Sequence, residues 1–378
     1  MSPSGARAPG GRGAGGEGSF LAGLRVVELA RSLPAAWTGG LLADLGADVV
    51  KIEDPKVGDL FRRSPPMVNG VGALHWTVNR NKRSAVLDLK HPPAREALLR
   101  LVERADILVE GFSPGTLERL GLGPGLLQER NPRLVLVSNS AYRDPVPGHD
   151  IDVAAEAGLL GLDAEPRPPS VTWAPALGSL WAVAAVLAAL RERDRTGEGT
   201  HLQLNLFDCV RWALLFPASF HFATGRSPAP GESGPASGHP GYGLYKCQDG
   251  RWLALGSVEP DYWRALCDAI GRPDLKTRAF SRKPEEVRKA VADGLASRPA
   301  EEWARELRAR GAVAGLVKRM EEALADISPA GGVRSLPTPV GSGPGRTAPA
   351  HGENTREVLA ELGYGEREAE EILRGREP

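Results

Sequence analysis

Cysteine is scarce in this chain of 378 residues, which carries only Cys209, Cys247 and Cys267, with no CxxC pair and no metal-ligand spacing. That scarcity excludes a disulfide framework and a structural zinc, and it fits a reducing, cytoplasmic setting. A charge excess of either sign is also lacking, since Lys+Arg and Asp+Glu both number 47. A balanced chain leaves no electrostatic footprint for nucleic acid or an anionic membrane, so the expected partner is a small molecule. Long apolar runs are absent too: the longest, LWAVAAVLAAL at 180–190, is too short to span a bilayer and runs into RERDRTGEG. It reads as a buried helix. The opening MSPSGARAPGGRGAGGEG has no apolar signal-peptide core, and residues 1–19 read as a disordered tail.

The rest of the chain has the composition of a soluble enzyme, 42% hydrophobic and 25% charged, with ample material for a core. LRVVELA, AAWTGGLLADLGA and DVVKIE read as strand, helix and strand, and a second such series follows in SAVLDL (84–89), PAREALLRLVERA (93–105), DILVEG (106–111) and PRLVLVSNS (132–140). Alternating strands and helices predict an α/β protein with a mostly parallel, doubly wound sheet. No GxGxxG follows the first strand, where ARSLPAAWTGG stands, so the sheet does not announce a nicotinamide dinucleotide. An apolar helix is expected over 180–193, and GEGTHLQLNLFDCVRWALLF (197–216) reads as strand then helix. The Gly, Ser and Pro of ATGRSPAPGESGPASGHPGYG (223–243) mark a linker. Beyond it come a hairpin with a DG turn at 249–250 and amphipathic helices in EPDYWRALCDAIG and PAEEWARELRARG. The expected organisation is a large domain over 20–225, a smaller α+β domain over 226–325, and a return of 326–378 to the large domain through one last helix, TREVLAELGYGEREAEEILR.

PVPGHDIDVAAEAGLL (145–160) sets His149 beside Asp150 and Asp152 at the mouth of an apolar helix. Such residues ordinarily cap a helix start and hydrogen-bond locally; a catalytic base held by a carboxylate is the alternative.

Several stretches together, LLADLGADVVKIEDPKVGDLFRR, NRNKRSAVLDLK, ADILVEGFSPGTLERLGLG and YGLYKCQDGRWLALGSVEPDYW, resemble the class III CoA-transferase superfamily. That superfamily includes formyl-CoA and carnitine CoA-transferases and α-methylacyl-CoA racemases, and the resemblance runs from about residue 21 to 325. It implies a coenzyme A thioester as substrate, no permanently bound cofactor, no metal, and an interlocked homodimer in which the small domain of one subunit covers the CoA site of the other. GHDI (148–151) and GSVEP (256–260) resemble the racemase branch, where the matching His and Glu form one acid/base side; His149 and Glu259 are the positions implied here. A thioester acidifies its α-proton, and an imidazole polarised by a carboxylate can remove it if the enolate is stabilised. Asp150 and Asp152 are then expected to be structural. For coenzyme A the resemblance implies Lys51, Gly58, Asp59, Asn79, Arg80, Asn81 and Lys82, the cations neutralising phosphates. A solvated turn is the plainer reading of NRNKRS.

Two departures stand out. The family's catalytic Asp precedes an apolar helix, and in PPSVTWAPALGSLWAVAAVLAAL an ungapped count places Ala174 at that position. Without a carboxylate there, neither an anhydride nor an aspartyl thioester can form at that residue. Ser113 in EGFSPG stands where the racemases carry Arg, with Arg62, Arg80 or Arg83 as candidate replacements. Cys209 reads as core, His201 and His221 lack ligand spacing, the resemblance implies that the loop of His239 approaches the acyl group, and Tyr242 and Tyr245 are candidate wall residues that hairpin packing explains equally well. Three functions follow: α-proton chemistry of the racemase type, CoA transfer between carboxylic acids, and a non-catalytic homologue that binds an acyl-CoA or acyl-carrier protein.

Overall fold

The computed structural model describes residues 19–229, 238–327, 336, 339 and 345–374. The tail read over 1–19 (save its last residue), the centre of the linker at 230–237 and most of the Pro/Gly stretch before 345 lie outside the described residues. These residues fall into two compact units, one within Met1–Val153, Thr172–Cys209 and Pro329–Pro378, the other within Ala154–Val171 and Val210–Ser328.

The first unit is built on strands β1 (Arg25–Leu29), β2 (Asp48–Glu53), β5 (Arg83–Val86), β6 (Ile107–Glu110), β7 (Val135–Ser140) and β8 (Thr200–Asn205), with the short hairpin β3 (Met67–Val68) and β4 (Val71–Gly72) between β2 and β5. The six long strands pair in the order β5-β2-β1-β6-β7-β8, every pair parallel. Both faces of such a sheet are covered, which is why VVEL, ILVE and LVLV are almost continuously apolar. Alternate residues serve opposite faces. Leu108, Leu134 and Leu136 pack with Leu98, Val358 and Leu359, whereas Val109, Val135 and Val137 pack with Ala35, Ala36, Ala182, Val183 and Val186. The strand order reverses between β1 and β6, the place where open α/β sheets bind ligands outside their carboxyl ends.

Two helices flank that end. The first, Leu33–Asp44, has Pro at its start, where a missing N–H costs nothing. The second is Trp173–Thr196, which begins seven residues ahead of the expected 180 and ends on Gly197 at φ 82°. It is long and apolar enough to cross a membrane by length and composition, but Ala182, Val183 and Val186 lie in the core. At its far end Arg193 donates toward the Asp106 and Arg133 carbonyls, near the amino ends of β6 and β7, so the helix runs back along the sheet and starts at the strands' carboxyl end.

The C-terminal helix expected as one piece is two, Thr355–Glu361 and Glu366–Arg374, because Gly363 between them adopts φ 88°. Arg83 holds the first of them through Glu357 at 3.0 Å and Glu361 at 2.7 Å while also pairing with Asp48 at 2.6 Å.

The second unit carries the antiparallel sheet β9 (Tyr242–Lys246), β10 (Trp252–Gly256) and β11 (Ala314–Leu316), in the order β11-β10-β9. Its DG turn places Gly250 at φ 77°, the left-handed region that favours glycine. Helices Pro260–Ala269, Pro284–Leu295 and Ala300–Ala309 cover it around Trp263, Leu266 and Trp303. The α/β class, with a large parallel-sheet unit and a smaller α+β one, is therefore as the sequence predicts.

Candidate functional site

The residues expected to grip coenzyme A are brought together, but as an internal network of the first unit. Lys51, fully buried, sets its Nζ 2.7 Å from Glu28 and 3.0 Å from Asp59, and donates to the Ala30 carbonyl. Lys82 lies 2.7 Å from the other Glu28 oxygen and donates to the Ala36 carbonyl and to Asn79 Oδ1. Asn79 donates to Asp59, whose other oxygen accepts from the Phe61 N–H. Arg80 and Asn81 both donate to Asp44, and Asn81 also exchanges hydrogen bonds with Arg346. Gly58 is buried beside Glu53 at φ 65°. Arg62 forks onto Glu53 at 2.6 and 2.9 Å, so the candidates for replacing an arginine at 113 are each bound to internal carboxylates.

Charge in this network is shared unequally. Burial works against the Lys51 ammonium, yet Glu28 and Asp59 raise its pKa above the ordinary lysine value. Burial, followed by competition with Lys51, pushes Lys82 down to about 8 despite Glu28. Asp59 is held far below the usual carboxylate range, chiefly by Lys51, against the effect of burial.

The stretch around His149 is organised differently. His149 is exposed, and its backbone N–H, not its ring, donates to Asp152 Oδ1 at 2.7 Å. Tyr142 Oη donates to the other Asp152 oxygen at 2.9 Å. Burial opposes these bonds, but they keep the Asp152 carboxyl below its ordinary value. Asp150 reaches across to the long helix, where its Oδ1 accepts the Ala174 N–H at 2.7 Å. Burial pushes the Asp150 carboxyl up against that hydrogen bond, and the neighbouring Asp152 charge adds to the rise. Both acids therefore take structural contacts, as expected, while His149 has no hydrogen-bonded carboxylate on its ring among the described residues.

A folded-state carboxyl held low stabilises the protein above the ordinary carboxylate range and loses that contribution as the pH falls through its lowered value. Tyr142→Phe is accordingly expected to cost about 1 kcal/mol at neutral pH and almost nothing near pH ~2. Urea unfolding of both proteins at the two pH values checks it; an equal loss at both would remove Asp152 from the account.

Sequence reading missed a cleft of about 580 Å³ at the carboxyl ends of β6, β7 and β8. Glu110, Phe112, Ser138, Arg143, His201 and Asp208 help line it. Ser138 Oγ lies 2.9 Å from His201 Nε2, and Glu110 accepts the Phe112 N–H at 2.8 Å. Burial raises the Glu110 carboxyl and lowers the His201 imidazole, so both favour their neutral forms. The signal was SNS closing the apolar LVLV run, polar residues where a buried strand should end in apolar ones.

In the second unit Glu259 is exposed at the start of helix Pro260–Ala269 and makes no capping bond. His239 is buried between Trp263 and Phe280, with Nδ1 accepting the Gly241 N–H. Tyr245 is buried and donates to the Pro240 carbonyl, which is hairpin packing, while Tyr242 is partly exposed. All three cysteines are buried, and burial pushes their thiols up to about 11, 11 and 12 for Cys209, Cys247 and Cys267, so none is poised as a nucleophile.

Residues 21–361 match the profile of CoA-transferase family III. The chain is similar to the succinyl-CoA:mesaconate CoA-transferase of Haloarcula hispanica, 34% identical over 300 residues, or 72% of this chain and 74% of that one. It is also similar to the human α-methylacyl-CoA racemase, 31% identical over 380 residues, covering 92% and 94% of the two chains. Among solved structures, a CAIB/BAIF family protein from Brucella suis superposes with a TM-score of 0.80 at 29% identity, covering 92% of this chain and all of that one.

Proposed function

Because the chain belongs to CoA-transferase family III, an enzyme family that handles acyl-CoA, we propose that it moves coenzyme A from an acyl-CoA to a second carboxylic acid. One observation carries this over α-proton chemistry: the acid beside His149 is docked at the start of the long helix, where its Oδ1 accepts the Ala174 N–H at 2.7 Å. A base that removes an α-proton gains from a carboxylate on its far nitrogen, and among the described residues no carboxylate is hydrogen-bonded to the His149 ring, whereas CoA transfer between acids asks for a carboxylate. Similarity to the Haloarcula CoA-transferase supports the same reading. The racemase-type reading, with His149 and Glu259 as the acid/base side, rests on GHDI, GSVEP and the likeness to the human racemase, and it takes second place.

The thioester belongs at the carboxyl ends of the parallel strands, where the β6–β8 cleft opens. Lys51, Asp59, Asn79 and Lys82, buried and paired, are better read as the scaffold under that end than as phosphate ligands. A homodimer is supported by Leu215, Phe216, Phe220 and Phe222, all exposed on the single helix Leu215–Thr224. Three buried free cysteines support a cytoplasmic setting.

The test mixes the protein with one acyl-CoA and a panel of carboxylates, in D2O. New thioesters without α-deuterium are the expected result. Deuterium at the α-carbon that disappears in His149→Ala, with no new thioester, would move the assignment to the racemase reading. Acyl-CoA binding with neither outcome would leave a binding-only homologue.

A further inference from the structure

The alternation of the parallel sheet puts three chemistry-bearing side chains on one of its faces. Val109, Val137 and Leu202 pack on the side of the two flanking helices, so their neighbours Glu110, Ser138 and His201 belong to the other side. Glu110 stands opposite Ser138 in the β6–β7 register. His201 faces Leu136, two residues short of Ser138, and its ring reaches forward to set Nε2 2.9 Å from Ser138 Oγ. The Glu110 carboxyl hydrogen-bonds the same serine. Burial favours the neutral imidazole of His201, which leaves the Ser138 hydroxyl with a base at hand for its proton.

All three groups line the cleft of about 580 Å³. It takes in consecutive residues, 138–140 of β7 and 203–205 of β8, and therefore lies over the strand ends rather than on one face. Its wall carries an independent sign of a ligand. Asn139 is 6% exposed, and neither its Oδ1 nor its Nδ2 has a partner among the described residues. A buried amide left in that state is unfavourable by about 1–3 kcal/mol unless something else fills the site. An unspent N–H next along the strand from Ser138 suits a carbonyl oxygen lying across the strand ends. The charges on the wall work against an anion, since Glu118 and Asp208 are acidic and Arg143 lies 2.8 Å from Asp208. The acyl end of a thioester meets these terms, with the phosphates of coenzyme A left outside.

We propose that Ser138 and His201 are a nucleophile and base with which this protein hydrolyses an acyl thioester, an activity separate from moving coenzyme A to a second acid. It rests on the placing of the thioester in the cleft and not on the transfer step. Ser138 Oγ adds to the thioester carbonyl carbon while its proton passes to His201 Nε2. The C–S bond breaks, its electron pair leaves on sulfur, and His201 returns the proton there, giving free thiol and an acyl ester on Ser138. Water then adds to the ester carbonyl and gives a proton to His201. The C–Oγ bond breaks, Oγ takes that proton back, and the carboxylic acid departs. The balance is thioester plus water to acid plus thiol, with Ser138 and His201 restored. In both steps the Asn139 amide donates to the carbonyl oxygen as charge develops on it.

The experiment gives wild-type protein acetyl-, butyryl- and succinyl-CoA in turn, with no acceptor acid, and follows free CoA and free acid by chromatography. Equal release of both, faster than in buffer, is expected from at least one of the three. Rapid acid quench and peptide mapping by mass spectrometry are expected to find the acyl group on Ser138. Ser138→Ala should carry no acyl group and lose kcat by about 10³-fold or more with KM kept. His201→Gln can still hydrogen-bond Ser138 but cannot take its proton, and the same loss is expected from it. Asn139→Ala should lose about 100-fold. No hydrolysis of any of the three by wild type, an acyl group on another residue, or Ser138→Ala that keeps kcat overturns the proposal. Absence of hydrolysis together with a new thioester once a carboxylate is added strikes this activity alone. Hydrolysis through Ser138 without any transfer strikes the transfer reading alone. Should Ser138→Ala fail to fold, the site of the acyl group in wild type and the kcat of His201→Gln decide.

Discussion

Lys51→Met is expected to destabilise the first unit by about 3–5 kcal/mol, because removing one partner of a buried ion pair leaves the other charge uncompensated. Lys51 is the common partner of Glu28 and Asp59, at 2.7 and 3.0 Å, and all three side chains are almost wholly out of water. Methionine fills the volume of the stem but neutralises neither acid. Lys82 does not make up the loss: it already holds the second Glu28 oxygen, and its own charge is the less secure of the two, with a pKa pushed down to about 8. A typical domain is stable by about 5–15 kcal/mol in all, so the variant should melt many degrees lower. Converting Asp59 to Asn as well removes the carboxylate that Lys51 held at 3.0 Å, while Lys82 still pairs with Glu28, and should recover part of the loss. Denaturant unfolding of the two variants and wild type measures this. A Lys51→Met protein as stable as wild type but weaker toward coenzyme A would favour the ligand-binding role that the family resemblance implies for Lys51.

The parallel sheet was legible because each strand is a short apolar run set between helical periods, and a strand buried on both faces can hardly look otherwise. Lys51 and Glu28 were visible as charges inside such runs, but which atoms meet them was not. They are opposite one another in the β1–β2 register, and a register is a property of two strands together. The family resemblance implies Lys51 as a coenzyme A residue, and its pairing with Glu28 is visible only once the two strands are set side by side. The same holds at the cleft, where Ser138 and His201 meet only because β7 and β8 pair as they do. Asp150 and Ala174 were each singled out, one as a helix-start residue and one as a vacancy, and what joins them is the path of residues 151–173, which no local pattern specifies. The C-terminal helix break is the opposite case: LGYG carries its own signal, a glycine that can take the left-handed conformation and end a helix.

Gly39→Ala tests the buried network from its steric side. Gly39 lies in the helix Leu33–Asp44, and a Cβ there would stand 1.9 Å from Glu28 Oε2 and 3.4 Å from Lys82 Nζ. A flexible carboxylate could ordinarily swing away from such a contact. Glu28 cannot, because Lys51 holds one oxygen and Lys82 the other, each at 2.7 Å, so either the ion pairs open in the dry interior or the helix lifts off the sheet. Nor can the helix move outward easily along its neighbours, since the next residue, Gly40, has the Val78 carbonyl 2.6 Å from where its own Cβ would be. Overpacking of a tight core costs about 1–3 kcal/mol, and here the loosening of a buried ion pair adds to it. The expected loss is about 3 kcal/mol or more, against the gain of about 0.5–1 kcal/mol that a glycine-to-alanine change normally gives in a helix interior. The double-mutant cycle with Glu28→Ala isolates the cause: with the carboxylate gone, Gly39→Ala has room for its methyl group and should add little further loss. If the two losses simply add, the methyl group is meeting something other than Glu28, and the close approach of this carboxylate is not what requires glycine at 39.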